Sequence, residues 1–149
     1  MELFTIATLW KNYDRRVQPL DVTVINIEEK EGYTVEYVFF NGDPCADGCA
    51  RIFSKFYRPR SGNGAGVVLM NDVMDVFDET YVFMLISYGY NVLVVDYVGQ
   101  RRAELYTVYP YSLKNSNYFV NPDFTRELPE NPKESCWYVW ATLMLRGIT

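Results

Sequence analysis

Between Asp21 and Tyr57 the chain alternates apolar and polar positions with a period of two, the spacing of strands that bury one face. Val22-Thr-Val-Ile-Asn-Ile27 gives a first strand. A polar Glu-Glu-Lys-Glu-Gly stretch follows, and Tyr33 to Phe40 gives a second strand, with Tyr33, Val35, Tyr37 and Phe39 on one side and Thr34 and Glu36 on the other. Gly32 is placed to turn the chain between them. Asn41-Gly42-Asp43-Pro44 carries turn chemistry, after which Ala50 to Tyr57 alternates again until Pro59 stops it. Arg60 to Gly66 reads as a flexible connector.

At Gly66 the pattern changes. Val67 to Met70 and Val92 to Val95 are short apolar runs without alternation, the mark of parallel strands covered on both faces. Between them, Asp78 is an N-cap, Glu79 complements the helix dipole, and Gly89 ends the helix in a left-handed turn. Strand, helix and strand in this order predict a right-handed βαβ unit and an α/β sheet. The segment from Tyr97 to Asn131 contains Pro110, Pro122 and Pro129 and many aromatic residues, so an ordered excursion is expected. Asn131, Pro132 and Glu134 form a helix start signal. Trp137, Trp140, Ala141, Met144 and Ile148 recur at helical spacing and predict an apolar face on a helix over 132–148.

Composition narrows the function classes. The 149 residues, 49% of them hydrophobic, are enough for one domain with a core, so 1–149 reads as a single unit with antiparallel strands over 21–58 and a βαβα part over 66–149. A net charge of -5 argues against a nucleic-acid partner, which requires clustered cations. The N-terminus has an acidic second residue, no basic region and no small-residue cleavage site, unlike a secretory leader. The longest charge-free run, Thr80 to Val95, is too short for a bilayer and is broken at Tyr88-Gly-Tyr-Asn91. A soluble, cytoplasmic chain with no membrane partner is expected, and the odd count of Cys45, Cys49 and Cys136 fits reduced thiols.

The chain contains no histidine, which removes Ser-His-Asp and Cys-His hydrolysis from these residues and most transition-metal sites with it. None of Ser54, Ser61, Ser87, Ser112, Ser116 and Ser135 lies in a G-x-S-x-G elbow, and no phosphate-binding glycine loop occurs. Cys45 and Cys49 lack a second ligand pair for a metal, so they read as loop thiols. Asp96, at the end of a buried strand, reads as a carboxylate accepting hydrogen bonds from the loop that follows it rather than as a catalytic acid.

Taken in order, Gly64-Ala-Gly-Val-Val-Leu-Met-Asn-Asp72, Asp78 to Gln100, Thr107 to Tyr118 and Glu134 to Thr149 resemble the first half of the α/β-hydrolases, in the acetyl esterase, acetyl xylan esterase and cephalosporin-C deacetylase-like branch. The resemblance runs from about Asp21 to Thr149. It implies a three-layer, partial α/β-hydrolase sheet whose antiparallel N-terminal strands lead into the parallel βαβ unit and which stops before the nucleophile-elbow strand. It implies that the loop of Asn71, Asp72, Val73 and Met74 supplies a backbone N–H to an oxyanion hole, where such donors lower an acyl-transfer barrier by several kcal/mol. It also implies that Asp96 is structural, and that the nucleophilic serine, the acid and the histidine all follow Thr149.

The substrate of the complete protein is then a small acylated ester, carbohydrate acetates included, with no cofactor, and this stretch alone is expected to be inactive. The alternative is a short, non-catalytic interaction or assembly module. In the family's strand order Val67–Met70 adjoins the missing strand, so self-association through an open sheet edge is expected.

Overall fold

The computed structural model describes residues 5–99, 104–123 and 129–149. A four-residue helix α1 (Ile6–Leu9), capped by Thr5, precedes the sheet. Five strands follow: β1 (Thr23–Lys30), β2 (Tyr33–Cys45), β3 (Gly48–Pro59), β4 (Gly66–Leu69) and β5 (Asn91–Val95). Helix α2 (Thr80–Ser87) joins β4 to β5, and α3 (Cys136–Arg146) ends the chain. The strand order is β1-β2-β3-β5-β4; the first three strands and β5 are antiparallel neighbours, and β4 lies parallel to β5. This is the mixed α/β sheet that the sequence predicts, with β4 at one edge.

The two helices cover opposite faces. Val35, Tyr57, Val92 and Val94 form one cluster with Val82, Leu85 and Ile86 of α2. Val38, Phe40, Ala50, Ile52 and Val95 form another with Val139 and Leu143 of α3. Consecutive residues of β5 alternate between the two, which is why Val92 to Val95 reads as an unbroken apolar run. The same account fails for β4. Val67, Val68 and Leu69 are only half buried and Met70 is exposed, because this strand has a neighbour on one side only.

The β2–β3 hairpin is longer than its turn residues suggest. The strands run on through Asn41–Cys49 and reverse at Ala46–Asp47, with Gly48 at φ +134°. The register shifts between Asn41 and Pro44. There the Asn41 N–H donates to the Leu20 carbonyl at 2.7 Å, and Gly42 sits so close to Ala50 that a Cβ would meet it at 3.3 Å. The turn chemistry thus marks a bulge inside a hairpin.

The start and the apolar face of the last helix also differ from expectation. Asn131 accepts from the Lys133 N–H at 3.1 Å and caps only a single 3-10 turn, Pro132–Glu134. The chain then extends at Ser135, whose hydroxyl accepts from the Tyr138 N–H at 3.3 Å and caps α3 proper. The buried face is Cys136, Val139, Trp140 and Leu143, whereas Trp137 and Ile148 are about half exposed. Helical spacing identified the stripe but misplaced its axis, since Trp137 is nearer to solvent and Arg146 is fully buried.

Candidate functional site

The loops leaving β4 and β5 emerge at the carboxyl end of the parallel pair, where open α/β sheets place their ligands. After β4, the Asn71 side-chain amide donates to the carbonyls of Val76 (2.8 Å) and Asp78 (3.0 Å), closing the loop on itself. Asp72 forms an Asx turn: its Oδ1 accepts from the Met74 N–H at 2.8 Å, and its carbonyl accepts from the Asp75 N–H at 3.1 Å. Val73 is half buried, and Asp72 and Met74 are exposed. Of the four residues the resemblance puts in an oxyanion loop, Met74 has its N–H engaged by Asp72. Among the described residues the backbone N–H groups of Asn71, Asp72 and Val73 donate no such bond.

After β5, Asp96 is fully buried. Its Oδ1 accepts from the N–H groups of Val98 (3.3 Å) and Gly99 (3.0 Å), and its Oδ2 accepts from the Thr107 N–H at 2.7 Å. The Thr107 hydroxyl donates to the Asp96 carbonyl and accepts from the Phe53 N–H at 2.8 Å. Gly99 lies at φ +72°, and a Cβ there would come within 2.7 Å of Asn117 Nδ2. Asp96 therefore nails the return of the excursion to the end of the sheet, as its position after the strand predicts.

Tyr97 ties the two loops together. Its hydroxyl donates to the Asn71 carbonyl at 2.6 Å, and burial, followed by the nearby carboxylates of Asp72 and Asp96, pushes its pKa up to about 12. The Tyr109 hydroxyl donates to the Tyr97 carbonyl, and Trp140 Nε1 donates to the Ser116 carbonyl at 2.7 Å. Burial raises the Tyr109 phenol well above the ordinary range. Val108 bridges to Arg51 of β3. The segment from Tyr106 to Tyr118 thus braces the sheet. Parts of the excursion, residues 100–103 and 124–128, lie outside the described residues.

The remaining candidates stay apart from one another. In the hairpin, Cys45 pairs with Gly48 and Cys49 with Pro44, so the two cysteines occupy adjacent register positions whose side chains point to opposite faces. All three cysteines are free, and no group of three or more metal-ligating side chains gathers among the described residues. Ser112 donates its hydroxyl to Asp47 and approaches Cys45 Sγ at 3.1 Å. That hydroxyl holds the Asp47 carboxyl below its usual range.

A groove of about 650 Å³ opens elsewhere, at the opposite end of the parallel strands and on the α3 face. Gly66 and Asn91, which start β4 and β5, line it with Val24, Phe56, Leu93 and Ile148. Its wall is mostly apolar, with the Arg58–Glu36 ion pair at its rim, and it lies away from the Asn71–Met74 loop, so we place the candidate chemistry at the loops. No local pattern marks Tyr97 and Thr107 as the residues that join the loops, because both act across the fold rather than along the chain.

No protein-family model and no curated protein matches this sequence. A solved structure, acetyl xylan esterase 1 from Thermoanaerobacterium sp. JW/SL YS485, is similar at 16% identity and a TM-score of 0.43, over 90% of this chain and 41% of that one. The chain thus spans less than half the length of that protein, and the likeness assigns it no activity. Among the described residues no helix is long and apolar enough to cross a membrane.

Proposed function

We propose that this chain is the N-terminal scaffold of a carboxylic-ester hydrolase of the acetyl-esterase kind, whose complete form cleaves small acetylated esters by acyl-enzyme chemistry. The observation that carries the reading is the pairing of the Asn71–Asp78 and Asp96–Gly99 loops at one end of adjacent parallel strands, joined by the Tyr97–Asn71 hydrogen bond and bordered by the open edge of β4. In that reading the N–H groups of Asp72 and Val73 face the developing oxyanion and Asp96 positions the neighbouring loop. Nucleophile, acid and histidine come from polypeptide following Thr149, and the 149 residues alone do not turn over ester.

The test has two arms. The coding sequence beyond Thr149 is expected to continue in frame to a G-x-S-x-G motif, and an immediate stop codon would overturn the scaffold reading in favour of a non-catalytic assembly module. That second reading draws on the same site, where Asn71, Asp96 and Thr107 are all engaged in holding loops. Hydrolysis of 4-nitrophenyl acetate by the purified chain is expected to match buffer. Turnover that co-purifies with the chain and is lost on serine substitution would show a complete site within it.

A further inference from the structure

Asparagine followed by glycine is prone to lose its side-chain amide, because glycine has no Cβ to keep its own nitrogen from the preceding side chain. The chain carries that pair at Asn41-Gly42 and again at Asn63-Gly64. The fold sets them in opposite surroundings. Asn41 lies in β2 opposite Arg51, its Oδ1 accepts from Arg51 at 2.9 Å and its carbonyl from Arg146 at 3.1 Å, and Gly42 is buried against Ala50. A paired, extended backbone holds the Gly42 nitrogen away from the Asn41 side-chain carbon. Asn63 and Gly64, by contrast, are exposed in the turn before β4, and Gly64 lies at φ +81° with open space where a Cβ would stand. Among the described residues the Gly64 N–H donates no hydrogen bond, while Asn63 Oδ1 accepts from the Ala65 N–H at 2.8 Å. That Asx turn folds the Asn63 side chain back along Gly64 and draws electron density from Cγ, the carbon the nitrogen must reach. The amide at risk is also in use. Asn63 Nδ2 donates to the Tyr88 carbonyl at 3.0 Å and the Asn63 N–H to the Gly89 carbonyl at 2.8 Å, which ties the entry of β4 to the end of α2.

We propose that Asn63 is a site of spontaneous deamidation, and that its products loosen the corner between β4 and α2. The Gly64 nitrogen gives its proton to solvent base and attacks Asn63 Cγ. The Cγ–Nδ2 bond breaks, ammonia leaves with a proton from water, and a cyclic imide remains. Water then opens the imide. Cleavage of the new Cγ–N bond leaves an aspartate, and cleavage of the original peptide bond leaves an isoaspartate whose main chain runs through the former side chain. Neither product has a proton to donate to the Tyr88 carbonyl. Each sets a carboxylate at the C-terminal end of α2, where the helix dipole disfavours negative charge, and the isoaspartate also lengthens the backbone by a methylene. The Gly89 turn has no slack to absorb this, since a Cβ there would already lie 3.1 Å from the Ser61 carbonyl oxygen and 3.2 Å from the Asn63 nitrogen. This inference does not rest on the esterase reading.

The test keeps the purified 149-residue chain in mildly alkaline buffer, native or unfolded in urea, and follows both Asn-Gly pairs by peptide mapping and mass spectrometry. In urea, where only the local sequence acts, the pairs are expected to react at similar rates. In the native protein Asn63 is expected to react at least about tenfold faster than Asn41, because an exposed turn opens far more readily than a paired strand, and to yield isoaspartate alongside aspartate. Asn63→Asp, which keeps the Asx turn but loses the donor to Tyr88, is expected to melt about 2–4 °C below the unmodified chain. If that variant does not fold, the melting of the aged, partly deamidated protein decides in its place. Equal rates at the two pairs in the native protein, faster loss at Asn41, or an intact Asn63 after the urea sample has reacted would each overturn the modification site. An unchanged melting temperature would overturn its effect on the corner.

Discussion

Among the described residues the carboxylate of Asp96 accepts from three backbone N–H groups while wholly buried, so its removal strands donors that water cannot reach. Asp96→Ala is expected to lower the unfolding free energy by about 3 kcal/mol in urea titrations, and a loss below about 1 kcal/mol would show that the excursion is held by other contacts. Arg146 is the cationic counterpart. It is fully buried, and its guanidinium donates to the carbonyls of Asn41 (3.1 Å), Gln18 (2.9 Å) and Arg15. Arg146→Ala is expected to cost about 3–5 kcal/mol by the same measurement, as for other buried charges whose network is broken. Asp96 was readable from sequence because an apolar run, an acid and a glycine stand together in order. Arg146 was not, since its acceptors are remote in the chain and a terminal arginine ordinarily signals a solvated helix end.

At the scale of elements, the two tryptophans of α3 separate packing from mere periodicity. Trp140 is buried against Tyr97, with ring centroids 5.2 Å apart, and donates to Ser116, whereas Trp137 is half exposed. Trp140→Ala should cost about 3–5 kcal/mol and Trp137→Ala under about 1 kcal/mol; equal costs would place both in the core. The start of α2 gives a pH prediction. Asp78 Oδ1 accepts from the Thr80 N–H at 2.9 Å and the Thr80 hydroxyl at 2.7 Å, and these bonds lower its pKa below the unfolded value. A depressed carboxylate stabilises the fold above its unfolded pKa and loses that contribution as pH falls through the folded one. The melting temperature of Asp78→Asn is therefore expected to lie below that of the unmodified chain above about pH 4 and to converge on it in stronger acid. The left-handed Gly89 at φ +82° and the two parallel strands were legible because each depends on a few consecutive residues, whereas the N-cap of α2 is Glu79, without a side-chain cap bond, and Asp78 holds Thr80 from one residue earlier. The bulge at Asn41–Pro44 was not legible, because Leu20, far back in the chain, supplies the acceptor that makes it possible.

Over the whole molecule, the sheet sorts the thiols by access. Cys136 is buried, which raises its pKa, while Cys45 and Cys49 are half exposed on the hairpin. A maleimide titration of the native protein is expected to modify Cys45 and Cys49 first and Cys136 only on unfolding, and early labelling of Cys136 would mean that α3 is not seated as described. The alternation of apolar positions made the layers predictable, whereas the open groove on the α3 face depends on what the helices leave uncovered, and no local pattern reports that. The Arg146 clamp, finally, bears on the order of synthesis. Its bonds to Arg15 and Gln18 join positions 131 and 128 residues apart, so the leading arm cannot be secured until α3 has left the ribosome. Contacts of such separation form late, and nascent chains halted before α3 should leave this arm open to protease while the β2–β3 hairpin is already resistant.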